Sequence, residues 1–459
     1  MIAWSDAGLG RRLVLVLGVT AIHAAIAGLA VSPLFFMPSV ATARHVFGGS
    51  NGEKALFEDV RAYHEYASRT LNGEIPYRHF DVEYPIGALP LFLLPRLFVS
   101  GEITYRWAFA AEMLLFDAAL VWLVAKQGER TVGAGRAVFW YSLGLALLGA
   151  IPIARFDLAA TFLAFAAMMA LNSKRSGLGG VLAGIGGLVK LFPVVVAAPN
   201  SVAWPLRKVG LAIPTRELSP SQTTDGSASP ALPGRSITAL LVTFSIGASI
   251  WFLIGGPGVM RSIRYHGERG LEIESLYAGG LIVMAKILRW PLAHQFNHSS
   301  VELIAPYAAI AAKLAPILQL IAIAWVLRPA FKAAPSSPSP VPLVVPDQCS
   351  SAIIQGYWSG TTSDTREITR AAACILAFAL FGKVLSPQYL LWMLPFVAAL
   401  EGRTGRIGRP LLMLACGLTT LLYFWAGVGL LQFHPLAVAI LNIRNLLLLA
   451  LFVILTRRA

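Results

Sequence analysis

The side chains best suited to chemistry are concentrated in an acid-rich segment, residues 37–104. Within it Asp59, Tyr63 and Tyr66 are spaced so that they share one face of a helix. An acid flanked by aromatic rings suits carbohydrate, because the rings pack on the C–H faces of a sugar while the carboxylate accepts hydrogen bonds from hydroxyls. The same pattern is also typical of an interfacial amphipathic helix whose tyrosines lie at the level of the lipid headgroups. The pattern alone leaves both interpretations open.

A second group of candidates consists of ionisable residues inside otherwise apolar runs. They are Glu112, Asp117, Asp157, Lys190, Lys383 and Arg444. Such residues are functional candidates by default, because burying a charge at membrane depth costs several kcal/mol unless a partner compensates. The structural alternative is neutralisation in pairs, and the candidate pairs are Asp117 with Arg444 and Arg155 with Asp157. For the two lysines we favour a functional role, because each is followed within four residues by a proline that breaks its helix.

A third group lies in the segment 257–276, where charges of both signs alternate. This alternation is typical of a solvated loop. Beside a lipid-facing cavity, however, Arg264, His266 and Arg269 have the chemistry to bind a phosphate. His294 and His298 lack a third ligand at metal-binding spacing, and no glycine-rich phosphate loop occurs. No metal or cofactor is therefore expected.

The composition limits the kind of protein that positions these residues. Of 459 residues, 56% are hydrophobic and 13% are charged, whereas a soluble domain has about 25% charged residues. This excludes a soluble enzyme and a disordered chain, and three cysteines exclude a disulfide scaffold. An all-α, multi-pass membrane protein remains. We do not interpret the net charge of +14 as a nucleic-acid footprint, because its distribution indicates membrane sidedness instead.

The charge distribution predicts the orientation of the chain in a cell (inner) membrane. Segments assigned to the cytoplasm contain 20 basic and eight acidic residues, whereas 37–104 and 257–276 together contain nine basic and 11 acidic residues. Both termini are therefore predicted to be cytoplasmic, with 37–104 and 257–276 as the first and second outer loops. Segments 200–235 and 329–368 are predicted as cytoplasmic linkers of a single domain, 1–459.

Two apolar stretches with cytoplasmic flanks on both sides are each long enough for only one crossing of the membrane. Residues 178–199 contain Lys190 and Pro193, and residues 371–400 contain Lys383 and Pro387. We therefore predict that each is a re-entrant pair of half-length helices, broken near its lysine. Because irregular backbone at membrane depth must line a cavity or be buried in protein, the two breaks predict a shared polar cavity near the outer face.

Five segments, taken in order along the chain, resemble the membrane glycosyltransferases of the GT-C class, and most closely glycosyltransferase family 87, which includes polyprenyl-phosphate-mannose-dependent mannosyltransferases. The segments are Asp59…Tyr63…Gly73…Pro76-Tyr77…Glu83-Tyr84-Pro85, Arg155-Phe156-Asp157, Gly184…Lys190-Leu191-Phe192-Pro193, Tyr265-His266…Arg269-Gly270-Leu271-Glu272-Ile273-Glu274-Ser275, and Lys383…Ser386-Pro387-Gln388-Tyr389-Leu390-Leu391-Trp392. The resemblance implies a bundle of about 10–12 transmembrane helices, with broken helices and a helical first outer loop.

The resemblance also implies an activity on the outer face of the membrane. A hexose, with mannose as the favoured sugar, would pass with inversion from a polyprenyl-phosphate sugar donor to a glycolipid or glycan acceptor. Asp59 would be the general base, with Glu58, Asp81 and Glu83 as rival bases. The donor phosphate would be bound by Lys190, Lys383, Arg264, His266 and Arg269. The sugar and acceptor would be bound by Tyr63, Glu83, Tyr84, Arg155, Asp157, Gln388 and Tyr389.

Two other functions fit the same sequence. A transporter or flippase of lipid-linked sugars would also show paired broken helices. A polysaccharide polymerase or ligase shares the membrane and the substrate class and differs mainly in its donor.

Overall fold

The computed structural model describes residues 8–32, 52–173, 175–199, 233–332 and 363–457, which are mostly helical. Most of the linkers predicted at 200–235 and 329–368, and residues 33–51 around the start of the first outer loop, lie outside the described residues. The α-helices are α1 (Leu9–Val31), α2 (Gly52–Leu71), α3 (Leu89–Arg96), α4 (Glu102–Glu129), α5 (Ala134–Leu148), α6 (Asp157–Asn172), α7 (Ser176–Val189), α8 (Pro233–Gly255), α9 (Val259–Glu268), α10 (Leu276–Leu288), α11 (Ala308–Lys332), α12 (Ser363–Leu380), α13 (Leu394–Ala398), α14 (Gly402–Thr420), α15 (Gly427–Leu431) and α16 (Pro435–Thr456).

Six helical stretches in the described part are long and apolar enough to cross a membrane, which confirms the predicted all-α membrane class. They are Leu9–Val31, Glu102–Glu129, Gly234–Glu268, Ala308–Arg328, Gly402–Trp425 and Pro435–Thr456. Five further apolar helices are shorter, among them α5, α6 and α7.

Both predicted helix breaks are present. Helix α7 ends at Val189, Lys190 is extended, and a 3₁₀ helix follows over Phe192–Ala197. Helix α12 ends at Leu380, and after an irregular stretch a 3₁₀ helix begins at Pro387, the proline predicted to cause the break. Each lysine therefore lies on irregular backbone between helical pieces.

A small β-hairpin is the main departure from the all-helical expectation. Strands β1 (Ala293–Asn297) and β2 (Ser300–Ile304) pair in antiparallel register. The apolar run 302–327 therefore begins within a strand, and its helix starts only at Ala308. Residues 271–273 add a third extended segment, because the Ile273 amide donates to the Val301 carbonyl at 2.9 Å.

Small residues allow α7 and α8 to pack closely. A Cβ added to Gly180 would overlap the carbonyl oxygen of Ser236, and one added to Gly184 would lie 2.9 Å from Thr243 Cβ. Close backbone approach at small residues is the usual way in which membrane helices associate, because lipid offers no hydrophobic driving force between them. The α7–α8 contact positions the helix break at Lys190.

We expect Gly180→Ala to destabilise the protein by about 1–3 kcal/mol, because overpacking forces the two backbones apart. Gly177→Ala on the same helix is the matched control, since nothing lies within 4 Å of its added Cβ. Melting temperatures in one detergent should fall for Gly180→Ala and stay level or rise for Gly177→Ala, because alanine favours helix over glycine. Equal melting temperatures for the two variants would contradict this packing.

Two buried charges at membrane depth have partners other than those predicted. Asp117 does not pair with Arg444: its carboxylate lies 2.7 Å from His23 Nδ1 and accepts a hydrogen bond from the Tyr141 hydroxyl at 2.9 Å. Arg444, fully buried, instead lies 3.5 Å from the Glu274 carboxylate and donates to the Glu274 carbonyl at 2.7 Å. Both contacts satisfy charges that burial would otherwise penalise.

Candidate functional site

The predicted base, Asp59, lies on α2 and retains partial contact with solvent, since its side chain is 27% exposed. Its Oδ2 is 2.8 Å from Nε of Arg155. Arg155 is buried and is itself fixed, because its guanidinium also donates to the carbonyls of Leu56 and Ala154 and to the hydroxyl of Tyr423. The carboxylate is therefore oriented by a rigid cation while one side remains accessible.

The shared face of Asp59, Tyr63 and Tyr66 is turned towards protein. The Tyr63 ring is 1% exposed and stacks on Phe92 with ring centroids 4.3 Å apart. Tyr66 stacks on Phe80 at 6.1 Å. The described contacts of Tyr63 thus place its ring inside an aromatic cluster of the protein, shielded from its surroundings.

Asp157 forms a second charged centre, two residues along the chain from Arg155. The carboxylate is fully buried, and its Oδ1 accepts hydrogen bonds from Lys190 Nζ at 2.7 Å and from Trp392 Nε1 at 2.6 Å. The predicted pairing of Arg155 with Asp157 is therefore wrong, because each residue has a different partner of opposite charge. Three of the five segments that carry the family resemblance, those containing Asp157, Lys190 and Trp392, therefore meet at this oxygen.

Aromatic rings surround the Lys190 ammonium. It lies 4.8 Å from the ring centroid of Phe156, 5.4 Å from Trp392 and 5.6 Å from Tyr389. Phe192 and Tyr389 stack on the two sides of Trp392, with centroids 4.0 and 3.9 Å away. Rings at such distances attract a cation through their π faces. Gln388, on the same 3₁₀ helix as Tyr389, is half-buried.

Lys383 is held by backbone. Its ammonium donates to the carbonyl of Gly267 at 2.9 Å and to that of Arg269. Glu272 completes this junction, because its carboxylate accepts from the Leu385 amide at 2.6 Å and from the Ser386 hydroxyl at 3.0 Å. The second helix break is thus joined directly to the segment 257–276.

Lys383 and Arg269 meet where the Lys383 ammonium donates to the Arg269 carbonyl, in the same segment as the His266 imidazole. Arg269, Lys190 and Lys383 all lie within electrostatic range of the His266 imidazole. Burial by itself would lower the pKa of the Arg269 guanidinium, but the Glu272 carboxylate, 3.9 Å away, opposes this effect and the pKa is raised overall. Arg264 is placed apart: its side chain is 71% exposed, and its ion-pair partner is Glu268 at 3.9 Å.

Tyr84 links the helix of the predicted base, Asp59, to the surroundings of Lys190 through ring contacts. Burial raises its pKa well above the usual value, and the charges of neighbouring groups including Asp59 add to the rise. The Tyr84 ring packs edge-on against Tyr63 and Phe156, at 5.7 and 5.0 Å. Tyr84, a neutral phenol, therefore packs between Tyr63, one helical turn after Asp59, and Phe156, whose ring lies 4.8 Å from the Lys190 ammonium.

The rival bases are placed differently from Asp59. Glu58 is exposed. Asp81 is 72% exposed, and its Oδ1 lies 2.7 Å from Arg261 Nε. Glu83 is half-buried, and its Oε1 accepts a hydrogen bond from the Ser299 hydroxyl at 2.6 Å. Among these four acids, Asp59 is the one with an ion pair to Arg155 and a position beside Tyr63 and Tyr84.

The site contains residues that sequence reasoning did not assign. Trp392 and Glu272 were noted only as members of motifs, and Tyr423 was not noted at all. The sequence contained a signal for each of the first two residues. Trp392 follows the proline break, and Glu272 alternates with the apolar residues 271 and 273, so each polar group could have been expected to face a buried partner. Nothing local in the sequence marks Tyr423.

The two histidines with helical spacing do not share a site. The His294 ring lies near Phe433, with centroids 6.1 Å apart, whereas His298 contacts Glu302 and Tyr265. Across the described ranges there is no cluster of three or more His, Cys, Asp or Glu residues that could hold a metal ion.

The chain was also compared with known proteins. No protein-family model, no curated protein and no solved structure matched it significantly.

Proposed function

We propose that this protein is a membrane glycosyltransferase that moves a hexose from a polyprenyl-phosphate sugar to a hydroxyl of a glycolipid or glycan acceptor. The observation that carries the proposal is an oriented carboxylate, Asp59, linked through the packed rings of Tyr63, Tyr84 and Phe156 to the ammonium of Lys190. A transfer of this kind needs both groups, because a proton leaves the acceptor while negative charge collects on the departing phosphate. The family resemblance points in the same direction.

In the proposed reaction Asp59 takes the proton of the acceptor hydroxyl as its oxygen bonds to the anomeric carbon. The bond between that carbon and the phosphate oxygen breaks, and the phosphate leaves with the electron pair. A single displacement of this kind inverts the anomeric centre. The phosphate leaves as an anion, so the step needs a cationic site for it and no general acid.

The cations Arg269, Lys383 and Lys190 would stabilise that phosphate. His266 would add to them only in its protonated form, because the one N–H of the neutral ring already donates to the Glu83 carbonyl. Lys383 and Lys190 use part of their hydrogen-bonding capacity on protein acceptors, which fixes their positions and leaves further N–H groups for a ligand. Tyr84, Gln388 and Tyr389 would contact the sugar and the acceptor, whereas Tyr63, 1% exposed, would support Tyr84 from within the protein. Arg155 and Asp157 would orient Asp59 and Lys190.

The proposal includes the bundle of about 10–12 helices and the orientation in the inner membrane. Both termini would be cytoplasmic, and the site would open to the outer face, because basic residues outnumber acids 20 to eight in the segments assigned to the cytoplasm. A donor built on a polyprenyl chain suits this location, since the lipid tail stays in the bilayer while its phosphate reaches the site.

Purified protein in detergent, supplied with radiolabelled polyprenyl-phosphate mannose and a membrane extract, should label a glycolipid or glycan and release polyprenyl phosphate. Labelling that needs a different sugar donor would favour the polymerase or ligase alternative. Absence of any donor consumption would refute the proposed activity.

Within this assay we expect Arg269→Met to reduce transfer by about 10²–10³-fold, the usual effect of removing one preorganised donor to developing negative charge. Arg264→Met removes the same charge five residues earlier, from an exposed side chain. It should leave kcat/KM within about twofold, as surface substitutions usually do. Equal losses in the two variants would show that general surface charge, and not the Arg269 position, matters.

A transporter of lipid-linked sugars remains the second candidate, because two broken helices are present. The two breaks are built differently, however. Lys190 pairs with a buried carboxylate inside an aromatic cage, whereas Lys383 binds backbone carbonyls. Matched repeats of a transporter would be expected to resemble each other more closely.

A further inference from the structure

The turn of the β-hairpin has a backbone that its residues disfavour. His298 and Ser299, the two residues between β1 and β2, have φ of +48° and +51°. A two-residue turn of this type needs positive φ at both positions, and asparagine followed by glycine is the usual solution. Side chains other than glycine, asparagine and aspartate rarely adopt this conformation. Such strain at two successive positions persists only where the surroundings compensate for it.

Both strained side chains make specific contacts with acids elsewhere in the chain. The Ser299 hydroxyl donates to Glu83 Oε1 at 2.6 Å, across 216 positions of sequence. His298 Nδ1 lies 3.3 Å from Glu302 Oε1, and the imidazole packs edge-on against Tyr265 at 4.9 Å. Glycine at position 299 would relieve the strain but would lose the contact with Glu83.

The hairpin is anchored from behind, so that its turn has a fixed position. The Leu303 amide donates to the Leu271 carbonyl at 2.8 Å, and the Ile273 amide donates to the Val301 carbonyl. Residue 272 lies between these two contacts and is joined to the second helix break, since its amide donates to the Lys383 carbonyl at 3.0 Å. The turn is therefore held in a fixed position relative to the second helix break and Lys383.

Glu83 is held at two points. His266 Nε2 donates to its carbonyl oxygen at 2.7 Å, and Ser299 holds its carboxylate. His266 lies beside a cation proposed to bind the donor phosphate, because the Lys383 ammonium donates to the carbonyl of the next residue, Gly267. A sugar attached to that phosphate would therefore bring its hydroxyl groups close to the Glu83 carboxylate, which can accept further hydrogen bonds.

We propose that Ser299 is a positioning residue that holds Glu83 for hydrogen bonding to the sugar hydroxyls of the donor, and that the strained turn is retained for this purpose. The assignment of the ligand rests on the function proposed above. The positioning itself rests on the contacts between the hairpin and Glu83.

The test compares the wild type with three variants in the purified full-length protein. Ser299→Gly relieves the strain and removes the hydroxyl, whereas Ser299→Asn keeps a side chain that tolerates positive φ and an N–H donor. Arg289→Gly is the control for strain relief alone, because Arg289 is exposed at the end of α10 and also has positive φ, +56°.

We expect Ser299→Gly to raise the KM for polyprenyl-phosphate mannose about tenfold, the usual effect of losing one hydrogen bond to a charged group. The inhibition constant of polyprenyl phosphate, which has the phosphate without the sugar, should stay unchanged. Ser299→Asn should recover part of the loss, and Arg289→Gly should keep the wild-type KM. An unchanged KM in Ser299→Gly, or an equal rise in KM and in the inhibition constant, would overturn the proposal.

Amide hydrogen exchange over residues 79–85 separates this inference from the proposed function. If the wild type consumes no donor, the proposed function fails, and exchange alone decides whether Ser299 positions Glu83. Faster exchange there in Ser299→Gly, but not in Arg289→Gly, supports the positioning. Exchange that stays at the wild-type rate overturns it whatever the activity.

Discussion

Asp59→Asn is expected to lower the rate of sugar transfer by about 10²–10⁴-fold, the contribution of a well-placed general base. The amide is nearly the same size as the carboxylate and keeps an oxygen facing Arg155, but it cannot take a proton from the acceptor. The KM for the donor should change less than kcat, because the lost interaction arises only as the proton moves. Initial rates at several donor concentrations measure both constants.

The neighbouring variant Glu58→Gln is the matched control, since it removes one negative charge from the same helix at an exposed position. It should transfer sugar at the wild-type rate. Asp81→Asn and Glu83→Gln complete the comparison of rival bases. A loss of kcat in one of these variants as large as that in Asp59→Asn would reassign the base.

Lys190→Met is expected to destabilise the protein by about 3–5 kcal/mol as well as to stop transfer. The substitution leaves the Asp157 carboxylate, fully buried, with Trp392 Nε1 as its remaining hydrogen-bond donor among the contacts seen here. Breaking a buried ion pair by removing one partner usually costs this much, because the other charge stays buried. Yield and melting temperature in a fixed detergent measure the stability.

The double variant Lys190→Met with Asp157→Asn separates stability from function. The asparagine oxygen still accepts from Trp392, both charges are gone, and methionine fits among aromatic rings. Stability should therefore recover part of the loss but not all of it, because the buried amide of the asparagine adds N–H donors with no acceptor among the described contacts. Transfer should remain lost because a phosphate-binding cation is missing. Recovery of transfer together with stability would limit Lys190 to a structural role.

Local chemistry made parts of the fold predictable. Pro193 and Pro387 lie in the first turn of the 3₁₀ helices that follow the two breaks, where the missing N–H of proline is tolerated. Both breaks therefore lie close to the predicted positions, although α12 already ends at Leu380. The apolar runs likewise predicted membrane-spanning helices. The hairpin was not predicted because its turn lacks the asparagine–glycine signal, and because strand β2 continues into an apolar helix without a clear change in composition.

Partners of buried charges depend on tertiary structure and were harder to predict. Asp117 was paired with Arg444 because both lie in apolar runs, yet α1 brings His23 to the same carboxylate. Which of Arg155 and Lys190 faces Asp157 is likewise decided by helix packing. The type and spacing of the ionisable residues indicated which of them lie in the same region, but not which ion pairs they form.

Reconstituted vesicles test the central claim most directly. The protein is placed in vesicles that contain polyprenyl-phosphate mannose labelled in the sugar, together with a membrane-extract acceptor, and the lipid products are separated after incubation. The proposed function predicts that label moves to the acceptor and that free polyprenyl phosphate accumulates, with both signals lost in Asp59→Asn. Movement of the intact lipid-linked sugar across the bilayer, with no phosphate released and no effect of Asp59→Asn, would contradict it and identify a transporter.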